Sequence, residues 1–180
     1  MVPSGAGSYR VANIPTDGRF LTFESAQMRS AINADVSDNP RFQFLLDYWT
    51  GKKGTRPAPA RADIDPIEIK PVLGWVFIAE ALNGGEDFRY RLIGTLLCQV
   101  YGVDFTGMTV KETFSRVDSQ VRDSVLASYR KVLRDTCTLR ATGRAIWTAK
   151  EWVGYDSFHL PLTGGAGQGD MVLGLVSIDM

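Results

Sequence analysis

Between Phe88 and Phe114 the chain changes its hydrophobic period, and that change limits the folds open to it. Phe88, Tyr90 and Leu92 alternate with Arg89 and Arg91, the period of two that sets one row of a strand on a core and the other in water. After Gly94 the apolar residues Leu96, Leu97, Val100 and Tyr101 fall at helical spacing, and Gly102 closes that run. Gly107 marks another change of direction, and Thr109 with Glu112 has the pattern of a capping box that starts a further short helix. A strand running straight into short helices, with a glycine at each change of direction, predicts a sheet closed over on one face by helices.

The flanking sequence supplies the rest of such a sheet. Asn39-Pro40 reads as a helix cap followed by proline at the first helical position. Phe42, Leu45, Leu46 and Trp49 repeat behind it as one apolar stripe, which Gly51 ends. KKGTRPAPA is a linker by composition, and Asp65, Pro66 and Glu68 predict a second capped helix that Pro71 holds to one or two turns. GWVFIAEAL at 74–82 reads as a buried strand, and Asn83 to Asp87 as the hairpin that returns the chain into 88–93. A long helix, capped by Ser115 or Asp118, is predicted to about Arg134 with Val121, Val125, Ser128, Tyr129 and Val132 on its inner stripe and Arg122, Asp123, Arg130 and Lys131 in water. Three strands follow, over 139–147, 151–162 and 171–178, with the glycine-rich GGAGQGD as a hairpin loop between the last two. Residues 1–38 form an N-terminal extension: Gly, Ser and Pro dominate its first part, Phe20, Leu21 and Phe23 suit a short strand, and 25–34 has helical composition.

Composition narrows the function classes. The chain of 180 residues is 44 % hydrophobic and 22 % charged, as a soluble single domain should be, and its 20 basic and 20 acidic side chains cancel. That balance speaks against nucleic acid as a partner, and no apolar run is long enough to span a bilayer. Two distant cysteines, Cys98 and Cys137, suit a reducing cytoplasm better than a disulfide framework. GGAGQG between two strands lacks the following helix of a phosphate loop, and no G-x-S-x-G occurs.

Asp63 and Asp65 offer carboxylates for acid–base work, although Asp65 also suits a helix cap. His159 is the single histidine, more readily a surface or hydrogen-bonded strand residue than a general base or a metal ligand, and no metal site is expected. Aromatic residues at strand positions, among them Trp75, Trp147, Trp152, Tyr90, Tyr101 and Phe158, suit either a core or the lining of a pocket for a flat molecule.

FQFLLDYW at 42–49, PARADIDP at 59–66, FRYRLIGT at 88–95, YGVDFTG at 101–107 and HLPL at 159–162 occur in an order that resembles the PAS sensor-domain superfamily. Within it, the chain looks like a PAS-like family common as stand-alone proteins in alphaproteobacteria. The resemblance covers residues 39–180 and implies an α+β fold: a five-stranded antiparallel sheet with helices between its second and third strands, preceded here by a flanking helix. It implies a non-enzymatic sensory or interaction module in cytoplasmic signalling, with a protein partner. A sheet wrapped by short helices suits a small cavity for an apolar or aromatic ligand, with Tyr90, Leu92, Leu97, Cys98, Tyr101, Trp147 and Phe158 as its candidate lining. The flanking helix, through Phe42, Leu45, Leu46 and Trp49, would then be an interaction surface, a homodimer included. No cofactor is expected: LLCQVYG around Cys98 departs from the motif of flavin-binding light sensors, and the long helix has no histidine for haem. The rival reading is a small α+β isomerase or hydrolase using Asp63, Asp65 or His159; a ligand-free adaptor is the third.

Overall fold

The computed structural model describes residues 21–22, 29–115, 119–147, 151–164 and 169–179, with the backbone alone at 21–22, 145–147, 151–152 and 169. Seven strands form one antiparallel sheet: β1 (Leu21–Thr22), β2 (Arg29–Ile32), β3 (Val76–Leu82), β4 (Asp87–Ile93), β5 (Leu139–Trp147), β6 (Glu151–Thr163) and β7 (Gly169–Asp179). Their spatial order is β1-β5-β6-β7-β3-β4, with β2 also on β5. The five strands from β3 onward are the expected frame, and α2 (Thr95–Tyr101), α3 (Val110–Thr113) and α4 (Ser119–Asp135) lie between its second and third strands.

The two additional strands come from the N-terminal extension. Arg29 to Ile32 pair with Thr142 to Leu139, so this part of the segment with helical composition is a strand. Without β1 and β2, the long strand β5 would present a bare row of backbone donors and acceptors, and pairing to that edge outweighs a weak local preference for helix.

Register sorts the side chains onto two faces. His159 pairs with Leu139 on one side and Gly174 on the other, and Gly174 pairs with Phe77. These residues, with Ala79, Tyr90, Ala141, Ser157 and Val172, share the face packed by α4. Phe158, Leu160, Leu173, Leu175, Val76 and Ile78 share the opposite face. Both faces are buried, so β7 reads as a nearly unbroken apolar run over 171–176 instead of alternating.

The outer face is covered by α1 (Pro40–Lys53). The Asn39 side chain accepts from the amides of Arg41 and Phe42, as the cap signature requires, and the helix continues past Gly51 to end at Gly54. Phe42 stacks on Phe158 with ring centroids 5.5 Å apart, and the Trp49 indole donates to the Pro161 carbonyl at 2.8 Å. Phe42, Leu45 and Trp49 are buried and Leu46 is half-buried within the chain itself. At roughly 1.5–3 kcal/mol per buried large apolar side chain, this packing is a main support of the fold. Of the two surfaces open to this stripe from the sequence, the chain's own sheet or a second copy, its own sheet takes Phe42, Leu45 and Trp49.

Arg140 ties the start of α1 to that sheet. It bonds Asp38 and Asp156, each with a closest contact of 2.6 Å, donates to the Asp35 carbonyl and lies over the Phe42 ring. The hydrogen bonds from Arg140 lower the Asp38 carboxyl below its usual range. The predicted helix at Asp65 is a series of turns. Glu68 does not reach back to the Asp65 amide; Tyr48 Oη accepts from that amide at 2.8 Å, while Glu68 takes Lys52 and Tyr48. The second predicted capping box forms as read: Thr109 Oγ1 accepts from Glu112 N–H, and Glu112 Oε2 from Thr109 N–H, at the start of α3.

Candidate functional site

The inner face of the sheet, under α4, carries the densest group of aromatic and titratable side chains. Phe77 stands at its centre, 5.9 Å from Tyr90, 5.7 Å from Tyr129 and 5.8 Å from His159, measured between ring centroids. Tyr129, brought down from α4, meets His159 edge-on at 5.2 Å and Phe88 at 5.3 Å. The Phe77 ring occupies the space above Gly174: a Cβ on that glycine would lie 2.0 Å from Phe77 Cζ. An interior strand glycine of this kind marks a close approach, here by a ring.

The polar atoms of this face are few and deeply placed. The Tyr90 and Tyr129 hydroxyls are 3.4 Å apart, and Tyr101 and Tyr155 bring two more phenols close enough to interact with them. Burial raises all four phenols above their ordinary range, Tyr155 to about 12, so they stand as neutral hydroxyls. His159 is 3 % exposed, and burial alone pushes its imidazole down to about 3, so it too is neutral. Its Nδ1 is buried without a hydrogen-bond partner. A buried polar atom left unpaired costs about 1–3 kcal/mol, which makes this nitrogen the least satisfied point of the inner face.

Of the pocket residues expected from sequence, Tyr90 belongs to this group and Tyr101 adjoins it through the phenols. Leu97 is buried in α2. Cys98 is half-buried beside Asp104; burial first, then that carboxylate, raises its thiol. Two expected residues are on the other side of the sheet. Phe158 lies against Phe42 on the outer face. Leu92 pairs with Ile78 while Tyr90 pairs with Ala79, because a bulge in β4 adds one residue between them and turns Leu92 to the outer face. The side chain of Trp147 falls outside the described residues, as does that of Trp152; Asp118 and the loop at 165–168 also lie outside them. Trp75 sits under Arg41, whose guanidinium carbon is 5.1 Å from the ring centroid.

Phe77, Tyr129, Tyr155 and His159 were not among the expected pocket residues. Gly174, within the apolar run MVLGLV, was the available signal, since a glycine there implies something large resting on the strand. His159 is neither at the surface nor paired through Nδ1, contrary to the sequence reading. The acid–base alternative loses its geometry as well. Asp63 accepts from the Ala60 amide and pairs with Arg56, and Asp65 accepts from the Ile67 amide. His159 has aromatic neighbours instead of a carboxylate. Among the described residues, no group of three or more His, Cys, Asp and Glu side chains could hold a metal ion, and no helix is long and apolar enough to cross a membrane.

No curated protein matches the chain. Among solved structures, an RNA-binding light-oxygen-voltage receptor is similar with a TM-score of 0.48 and 12 % identity, over 86 % of this chain. The matched region spans 39 % of that receptor's chain. The family model of the PAS domain matches residues 38–177, from the residue before the α1 cap through most of β7. The chain belongs to the PAS-domain family, one of sensory and interaction domains.

Proposed function

We propose that this chain is a non-enzymatic sensory module of cytoplasmic signalling whose input is a small, neutral, largely apolar aromatic molecule taken up on the inner face of the sheet. The observation that carries this reading is His159: a neutral imidazole, walled by Phe77 and Tyr129, with a buried Nδ1 that lacks a partner. A flat molecule bearing one hydroxyl or similar group would pair that nitrogen, and its ring would find the edge and face contacts that aromatic side chains prefer. The inner face is already filled by Phe77 above Gly174, so uptake requires the Phe77 ring to move, and this supplies two arrangements of one element. Binding shifts the balance between them only by its differential affinity for the two. The output is a change in what docks on the module, a signalling protein or a second copy. The two free thiols and the balanced charge support a reducing, cytoplasmic setting.

The reading is tested by native mass spectrometry of the purified full chain, alone and with phenol as the probe. The expected result is one phenol bound per chain, and about tenfold weaker binding in His159→Leu, which removes the nitrogen. Equal binding by wild type and His159→Leu would overturn it by placing the ligand away from His159, and no binding by either would overturn it and leave the ligand-free adaptor.

A further inference from the structure

A cleft opens along the middle of α4. It has a volume of about 210 Å³ and lies between α4, the inner face of β5 and the added strand β2. Ser124, Ala127, Ser128 and Lys131 line it from the helix, Leu139 and Ala141 from β5, and Ser30 from β2. The helical residues share one face by their spacing: Ser124 with Ser128 and Ala127 with Lys131 are four apart, and Ser128 with Lys131 three apart. Ser30 pairs with Ala141 across the sheet, so β2, which extends the five-stranded frame, supplies one wall of the cleft.

Two features indicate a ligand. Ser128 is 7 % exposed, and its hydroxyl has no side-chain hydrogen-bond partner among the described residues, although it lines the cleft. The hydroxyl itself is not enclosed: it opens on the cleft with its hydrogen-bonding capacity unused by other side chains. Lys131 adds a cation at the same wall. Its ammonium is 2.5 Å from Asp135, but Asp135 also bonds Arg134, so one carboxylate serves two cations. Those two cations, Arg134 first, hold the Asp135 carboxyl down to about 2. Ala127, Leu139 and Ala141 make the apolar part of the wall, and Ser30 and Ser124 add two further hydroxyls.

We propose that this cleft binds a small amphiphilic carboxylate, its apolar body against Leu139, Ala141 and Ala127 and its head group on Ser128 and Lys131. Such a molecule bridges α4 to β5. The cleft adjoins the inner-face group, since Leu139 pairs with His159 and Ser128 precedes Tyr129, but its polar contacts are Ser128 and Lys131, so each proposal is tested by its own variants.

The test is a two-dimensional amide and methyl NMR titration of the full chain with hexanoate, with 1-hexanol and inorganic phosphate as comparison probes. Hexanoate is expected to give saturable shifts centred on Ser124, Ser128, Lys131, Leu139 and Ala141. Loss of the charge-assisted contact should make hexanol, and the variants Ser128→Ala and Lys131→Met, about tenfold weaker. Phosphate should give no saturable shift, and circular dichroism should show both variants folded as wild type. Absence of saturable hexanoate shifts overturns the proposal. So do shifts centred on Phe77 and His159, equal affinity for hexanol, saturable binding of phosphate, or full affinity in both variants.

Discussion

Phe77 and Gly174 share one volume, and much of the inner face depends on that arrangement. A Cβ at Gly174 would be 2.0 Å from Cζ and 2.1 Å from Cε1 of the ring, so Gly174→Ala forces Phe77 out of its place. We expect a loss of about 1–3 kcal/mol, the usual cost of overpacking, measured by urea unfolding. Gly94 is less forgiving, because a Cβ there would meet the Gly74 carbonyl oxygen at 2.3 Å, a backbone atom that cannot swing aside. His159 sets a pH dependence. Its folded pKa, about 3, lies below the ordinary 6.5, so between these values the unfolded chain binds a proton that the folded chain refuses. Stability should therefore fall as the pH drops below 6.5, approaching about 1.4 kcal/mol per pH unit, and be unaffected by this group above it. The clean window ends near 4.5, where the carboxyls start to contribute. Urea unfolding across it should give this slope in wild type and a flatter one in His159→Leu.

At the scale of elements, α1 is a cover for the sheet. Phe42→Ala removes a fully buried ring from its stack on Phe158 and should cost about 3–5 kcal/mol in thermal or urea unfolding. Trp49→Phe keeps the apolar contact but leaves the buried Pro161 carbonyl without its donor, for a loss of about 1–3 kcal/mol. If either change left stability intact while altering only self-association, α1 would be an interaction helix after all. Elements with local causes were legible in the chain itself: Asn39-Pro40 at the head of α1 and Thr109 with Glu112 at the head of α3 lie where their capping chemistry requires. Elements decided by distant partners were not. Residues 29–32 carry no strand signal strong enough to overcome their neighbours, and only the free edge of β5 makes them β2. Leu92 follows a clean alternation in sequence, yet one bulge residue in β4 reverses its face, and nothing local announces it. The inner-face group escaped for the same reason, since Phe77, Gly174 and His159 meet only through the registers of β3, β6 and β7.

On the scale of the whole molecule, one sheet is buried on both sides, by α1 outside and α4 inside, and the PAS-domain match runs through both covers. Arg140 fastens the outer cover at Asp38 and Asp156, while Arg130 of α4 donates to the Gly85 carbonyl at 2.6 Å and to that of Glu86, anchoring the hairpin between β3 and β4. Motion of Phe77 at the centre of the inner layer would thus be felt by β3, β7 and α4 together, which is what a sensor needs from a single binding event. The proposed input depends on a neutral His159 whose buried Nδ1 lacks a partner until Phe77 moves and a ligand supplies one. The most direct measurement is the ¹⁵N spectrum of the imidazole in the full chain, recorded from neutral pH to pH 4.5 and then with phenol added at neutral pH. The account predicts a neutral ring that does not titrate over that range and an Nδ1 resonance that moves saturably with phenol. A ring that titrates near 6.5, or an Nδ1 resonance that phenol leaves in place, would contradict it.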